Sequence, residues 1–159
     1  MHRLILLRHA HAETPSSGIT DRERPLTGVG HAEAGAAAQW LGSQGYAIDR
    51  VVHSDARRAR ETCARVLATV EVKRELEDGR IYEATPGELI SVAEDHRKAG
   101  CVLMVGHNPG FEQLAALLTT GQTGDYRGMP PAGCAVIEFD DPAAPLEPGC
   151  GRLAAFWSP

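Results

Sequence analysis

The chain has 159 residues, 43% of them apolar and 23% charged, which allows one domain with a substantial core and leaves no comfortable room for two. Sixteen basic against 21 acidic side chains give a net charge of −5, so the broad basic footprint that general nucleic-acid binding needs is missing. Any anion site must therefore be a local concentration of arginine.

Cys63, Cys101, Cys134 and Cys150 are widely separated and form no C-x-x-C pair, which argues against a zinc ribbon and against a disulfide framework. Cys101 and Cys134 lie in apolar runs and read as small core residues. Near the start, only the four large apolar residues Leu4 to Leu7 precede Arg8. That is too short for a signal-peptide core or a membrane span, so the expectation is a soluble protein of the reducing cytoplasm, with no membrane partner.

Leu4-Ile5-Leu6-Leu7 reads as a short strand buried on both faces, and Arg8-His9 sits where it should stop. A polar loop from His11 to about Arg24 follows, and Pro25-Leu26-Thr27 introduces a helix with Thr27 as N-cap. Val29, Ala32, Ala36, Trp40 and Leu41 supply its apolar face by spacing, and Gly42 and Gly45 end it. Val51-Val52 is a second short strand ending at His53-Ser54, and residues 55–70 read as a second helix, rich in arginine in its first half. A weaker third strand is expected near Val70 to Val72.

Thr85-Pro86-Gly87-Glu88 combines capping-box spacing with proline at the first helical position. That helix carries Leu89, Ile90, Val92 and Ala93, and Gly100 stops it. Cys101 to Val105 is another fully apolar strand, ending in Gly106-His107-Asn108-Pro109. Asn108 is placed to cap the next helix and Pro109 to begin it, with Phe111, Leu114, Ala115 and Leu118 on the buried face. Strands at Ala135 to Phe139 and Leu153 to Trp157 complete the order β-α-β-α-β-α-β-α-β-β. Such an order indicates a layered α/β domain whose early strands are mostly parallel.

Three strand ends carry polar chemistry: Arg8-His9, His53-Ser54 leading to Arg58, and His107-Asn108. In a parallel sheet these ends share one edge, where ligands bind, and helix N-termini there favour an anion. Arginines and histidines around one such crevice make a phosphate pocket.

Leu7-Arg8-His9-Ala10 resembles the signature of the histidine phosphatase superfamily, the phosphoglycerate-mutase-like enzymes. Ser54 to Thr62 is similar to that family's second block, and Val105 to Gly110 resembles its third. Arg24-Pro25-Leu26-Thr27 and Arg80-Ile81-Tyr82-Glu83-Ala84 resemble the small SixA-type branch of phosphohistidine phosphatases. The resemblance implies one three-layer α/β/α sandwich over residues 1–159, with a mostly parallel central sheet. It implies His9 as nucleophile and phosphate acceptor, and Arg8, Arg58 and His107 as the grip on the phosphoryl oxygens. Glu83 matches the setting of the leaving-group acid, with Glu77 and Asp78 as rivals, and Arg24 can reach the phosphate or the incoming partner from the loop. No cofactor and no metal are implied. The expected substrate is a phosphohistidine-bearing protein, with a small phosphomonoester as the alternative. Ala10 departs from the glycine usual after Arg-His, and the chain has no room for the insertions that roof the mutase site.

Blander readings stand beside these. The other arginines between 57 and 65 form a solvated helix face, and His2, His31 and His96 are surface residues. His53 and Ser54 read as strand-end packing and capping, Thr62 and Asn108 as structural support. His9-Ala10-His11 with Glu13 has the look of a metal-ligand pair, but no further cluster completes it and Arg8 and Arg58 would crowd a cation. A silent phospho-binding module would keep the arginines and dispense with the nucleophile, which is present here.

Overall fold

The computed structural model describes residues 1–124 and 128–159. Strands β1 (Arg3–Arg8), β2 (Ile48–His53), β3 (Val72–Glu77), β4 (Cys101–Gly106), β5 (Cys134–Phe139) and β6 (Gly151–Trp157) form one sheet in the order β3-β2-β4-β1-β5-β6. The first four are mutually parallel, and β5 and β6 add an antiparallel edge. Helices α1 (Gly28–Gln44) and α2 (Arg57–Leu67) cover one face; α3 (Pro86–Asp95) and α4 (Gly110–Thr120) cover the other.

The run Leu4 to Leu7 shows why the sheet is central. Successive strand residues point to opposite faces: Ile5 and Leu7 join the core under α1 and α2, Leu4 and Leu6 the core under α3 and α4. All four are fully buried. β4 divides in the same way, with Leu103 and Val105 on one side and Val102 and Met104 on the other.

Helix α1 turns a different face inward from the one its spacing picks out. Ala34, Ala37, Ala38 and Leu41 are buried, while Val29 is 63% exposed and Trp40 lies half-buried against β6, its ring 5.6 Å from that of Trp157. Alanines on every side give the helix little apolar contrast, so packing decides the face. The constraint is Gly30, where an added Cβ would lie 2.0 Å from the His11 carbonyl oxygen. Gly30→Ala should therefore cost about 1–3 kcal/mol and lower the melting temperature by several degrees, measured by calorimetry.

β3 runs to Glu77 rather than stopping at Val72. Its sequence Val-Lys-Arg-Glu-Leu-Glu carries only a weak apolar signal, Val72 and Leu76, because it is an exposed edge strand held mainly by its backbone ladder to β2. The capping box at Thr85 forms in both directions, the hydroxyl accepting from the Glu88 amide and the Glu88 carboxylate from the Thr85 amide. At the start of α4, Pro109 occupies the N-cap and Asn108 works from one residue outside, its Oδ1 accepting from the Glu112 amide at 3.2 Å.

Candidate active site

The carboxyl ends of β1, β2 and β4 lie side by side, Arg8 opposite Gly106 and His53 opposite Val105. They open into a cleft of about 670 Å³ lined by Arg8, His9, Arg58 and His107. Gly106 makes the tight corner possible, since a Cβ there would lie 2.6 Å from both Ile81 and the Phe111 ring.

His9 has a defined tautomer. Its Nδ1 lies 2.7 Å from the Ala10 carbonyl oxygen, which can only accept. The proton of the neutral ring therefore sits on Nδ1, leaving a lone pair on Nε2. Burial, reinforced by the positive charges of Arg58, Arg8 and Arg24, lowers the pKa to about 4, so the ring is neutral at pH 7. Thr62 steadies this corner: its hydroxyl accepts from the Ala10 amide at 3.1 Å and donates to the Arg58 carbonyl at 2.7 Å.

Its contacts give His107 the same tautomer. Ser54 Oγ accepts from the Ala56 amide at 3.2 Å and stands 2.7 Å from His107 Nε2. The serine hydroxyl proton is then best donated to Nε2, which puts the His107 proton on Nδ1. Ser54 thus orients a site residue, a larger part than the capping its position predicts. Burial, then His9 and Arg58, push the His107 pKa down to about 3.

Arg58 is 5% exposed. Its Nη1 donates to the Asp21 carbonyl at 2.6 Å and its Nη2 to the Asp21 carboxylate at 3.1 Å. Asp21 also accepts from the Tyr82 hydroxyl and, at 2.9 Å, from Arg24 Nε. The Tyr82 bond comes first among the influences that lower its pKa to about 2, with Arg58 and Arg24 adding to it. Tyr82 stands edge-on to His107, ring centroids 5.5 Å apart, under the Arg22 guanidinium. Asp21 and Tyr82 are the site residues that sequence reasoning missed. Asp21 has no motif around it, and Tyr82 sits in the Arg80–Ala84 block with nothing in the spacing to single it out.

Arg24 lines the cleft, but its Nε is engaged by Asp21 and its Nη1 by the Glu13 carbonyl at 2.8 Å. It clamps the loop as well as facing the pocket. Glu83 is exposed at the cleft mouth with a left-handed φ of 54°, and makes no hydrogen bond among the described residues. Its rivals lie elsewhere: Asp78 pairs with Arg80, and Glu77 ends β3 outside the cleft. His11 is drawn to Glu33 at 2.5 Å rather than towards a shared metal with His9.

Three buried N–H donors face no partner among the described residues: Arg8 Nε, Arg58 Nε and His107 Nδ1. Buried donors are seldom left unmatched. Their remaining edges are fixed, Arg8 by the Met129 carbonyl at 2.8 Å, Arg58 by Asp21 and His107 by Ser54. The arrangement suits a tetrahedral oxyanion beside a bare imidazole nitrogen.

A mostly parallel sheet with this anion pocket at its strand ends defines a phosphoryl-handling α/β protein. Residues 4–89 match the histidine phosphatase superfamily (branch 1), and the chain belongs to that family. Its structure is of the SixA type. Over 99% of its length it is similar to the crystal structure of a protein from Agrobacterium tumefaciens assigned as phosphohistidine phosphatase SixA, with 28% identity, a TM-score of 0.84 and 98% of that chain covered. A structure of the protein histidine phosphatase SixA with tungstate shares the fold at 24% identity and a TM-score of 0.81, over 98% of this chain and 96% of that one. An uncharacterised protein of Mycobacterium tuberculosis H37Rv is 34% identical over 96% of this chain and 99% of its own length. Family and structural neighbours together support a phosphatase. Among the described residues no helix is long and apolar enough to cross a membrane.

Proposed function

We propose that the protein is a phosphohistidine phosphatase working through a covalent phospho-His9 intermediate, with Arg8, Arg58 and His107 holding the phosphoryl group. The observation that carries this reading is the convergence of Arg8, Arg58 and His107, each with an unpartnered buried N–H, on the cleft that holds the His9 ring with its Nε2 bare. Nε2 attacks phosphorus in line, the new N–P bond forming as the bond to the leaving imidazole breaks and that imidazole takes a proton. Water then attacks the phospho-His9 phosphorus; the N–P bond breaks, and Nε2 recovers its lone pair as phosphate departs. Phosphoryl transfer asks mainly for positioning and charge stabilisation, which two guanidinium groups and the His107 Nδ1–H supply without a metal.

Glu83 at the cleft mouth favours a second reading, a small phosphomonoester whose alkoxide leaving group needs the proton such a carboxyl could carry. An imidazole leaving group is protonated readily near neutral pH, so the first substrate has little need of Glu83. Arg24, on the rim, would contact the incoming partner. Phosphate release in excess EDTA from a phosphohistidine protein and from phosphomonoesters, by wild type and Glu83→Gln, separates the readings. Release from the phosphohistidine protein at an equal rate in both enzymes is expected. Activity on phosphomonoesters alone, lost in Glu83→Gln, would favour the second substrate, and loss of all activity in EDTA would sink metal independence.

Because the His9 pKa is lowered to about 4, the nucleophilic form persists well below the ordinary histidine range. The acid limb of kcat/KM, which reports the free enzyme, should fall near pH 4 rather than pH 6.5. A limb at 6.5 would contradict the buried, arginine-flanked ring.

A further inference from the structure

A second cluster lies behind the end of β2, among residues that do not line the phosphate cleft. His53 ends β2, Cys63 lies in α2 and Glu75 in β3, and one ligand atom from each falls within 4.8 Å of the other two. Their convergence follows from the register. Glu75 is aligned with Val51, and Val51 belongs to the core beneath α1 and α2. Alternation puts His53 and Glu75 on that same face, where Cys63 is buried.

The histidine is held as a ligand should be. Its Nδ1 donates to the Ser54 carbonyl at 2.9 Å, which fixes the ring and leaves Nε2 facing the Glu75 carboxylate at 3.2 Å. In the neutral ring those two atoms are both acceptors, so a positive charge belongs between them. A proton would serve that pair alone, whereas a divalent cation would serve Cys63 as well.

We propose that His53, Cys63 and Glu75 form a binding site for a zinc-class divalent cation, separate from the phosphoryl site. One nitrogen, one sulfur and one oxygen suit a borderline-soft ion and disfavour magnesium or calcium. Bonds of about 2.0–2.3 Å to such an ion place its ligands roughly 3.5 Å apart, reachable by small side-chain rotations. The Glu75 side chain is 53% exposed, so the fourth position opens to water. Ser54 links the two sites, its carbonyl bonded to His53 and its hydroxyl to His107. The ion would brace the corner between β2 and α2 that carries Ser54 and Arg58; it takes no part in phosphoryl transfer.

Cobalt(II) titration tests the assignment, because a thiolate ligand gives an intense ultraviolet charge-transfer band. The measurement is made without oxygen in a Cys150→Ser background, since Cys150 is the exposed thiol. The expected result is a band saturating at one cobalt per chain, displaced by zinc and lost in Cys63→Ala. Glu75→Gln, on the exposed edge strand and harmless to the core, should keep the band but weaken cobalt binding about tenfold or more. No band, a band that survives Cys63→Ala, or full affinity in Glu75→Gln would overturn the proposal.

Discussion

Replacing His9 with alanine is expected to reduce phosphate release by on the order of 10⁴-fold or more. Without Nε2 the cradle has nothing to transfer the phosphoryl group to, and water must attack unaided. The donors Arg8 Nε, Arg58 Nε and His107 Nδ1 are untouched by the substitution, since each is anchored through Met129, Asp21 or Ser54. The variant should therefore still bind tungstate or inorganic phosphate with affinity within a few-fold of wild type, read by calorimetry. Loss of turnover with binding retained places His9 in chemistry; loss of both would make it a structural residue.

Arg58→Lys is the second large effect, a fall in kcat/KM of about 10²–10³-fold with the charge preserved. The guanidinium works by division of labour: its Nη atoms hold Asp21 at 2.6 and 3.1 Å, its Nε is buried without a partner, and the residue lines the cleft. A lysine ammonium is a single point and cannot serve both sides. Asp21→Asn should cost less, because the backbone carbonyl contact to Nη1 survives. Steady-state kinetics on both variants checks the order, and an Asp21→Asn loss as large as that of Arg58→Lys would mean the carboxylate itself acts on the substrate.

Much of this was legible in the sequence where a local rule and the tertiary structure agree. Leu4 to Leu7 could only be a strand buried twice over, and Thr85-Pro86-Gly87-Glu88 names its own cap. Histidines and arginines at strand ends point to the cleft because parallel strands share an edge. Legibility failed where packing or a distant partner decides. The alanines of α1 do not say which way they face, and β3 hides its strand among charges because it is an edge strand held mainly by its backbone ladder to β2. Asp21 matters through Arg58, Arg24 and Tyr82, which lie 37, 3 and 61 positions away. No spacing rule joins them; the anion site is completed only when the loop folds back over α2.

The most direct test of the central claim is to trap the intermediate. The protein is mixed with a phosphohistidine donor, quenched within the first turnovers at alkaline pH, where an N–P bond survives, and digested for mass spectrometry. One phosphoryl group is expected on the peptide containing His9, absent from His9→Ala and lost on brief acid treatment. Steady phosphate release with no label on His9 at any quench time, or a label on another residue, would contradict it.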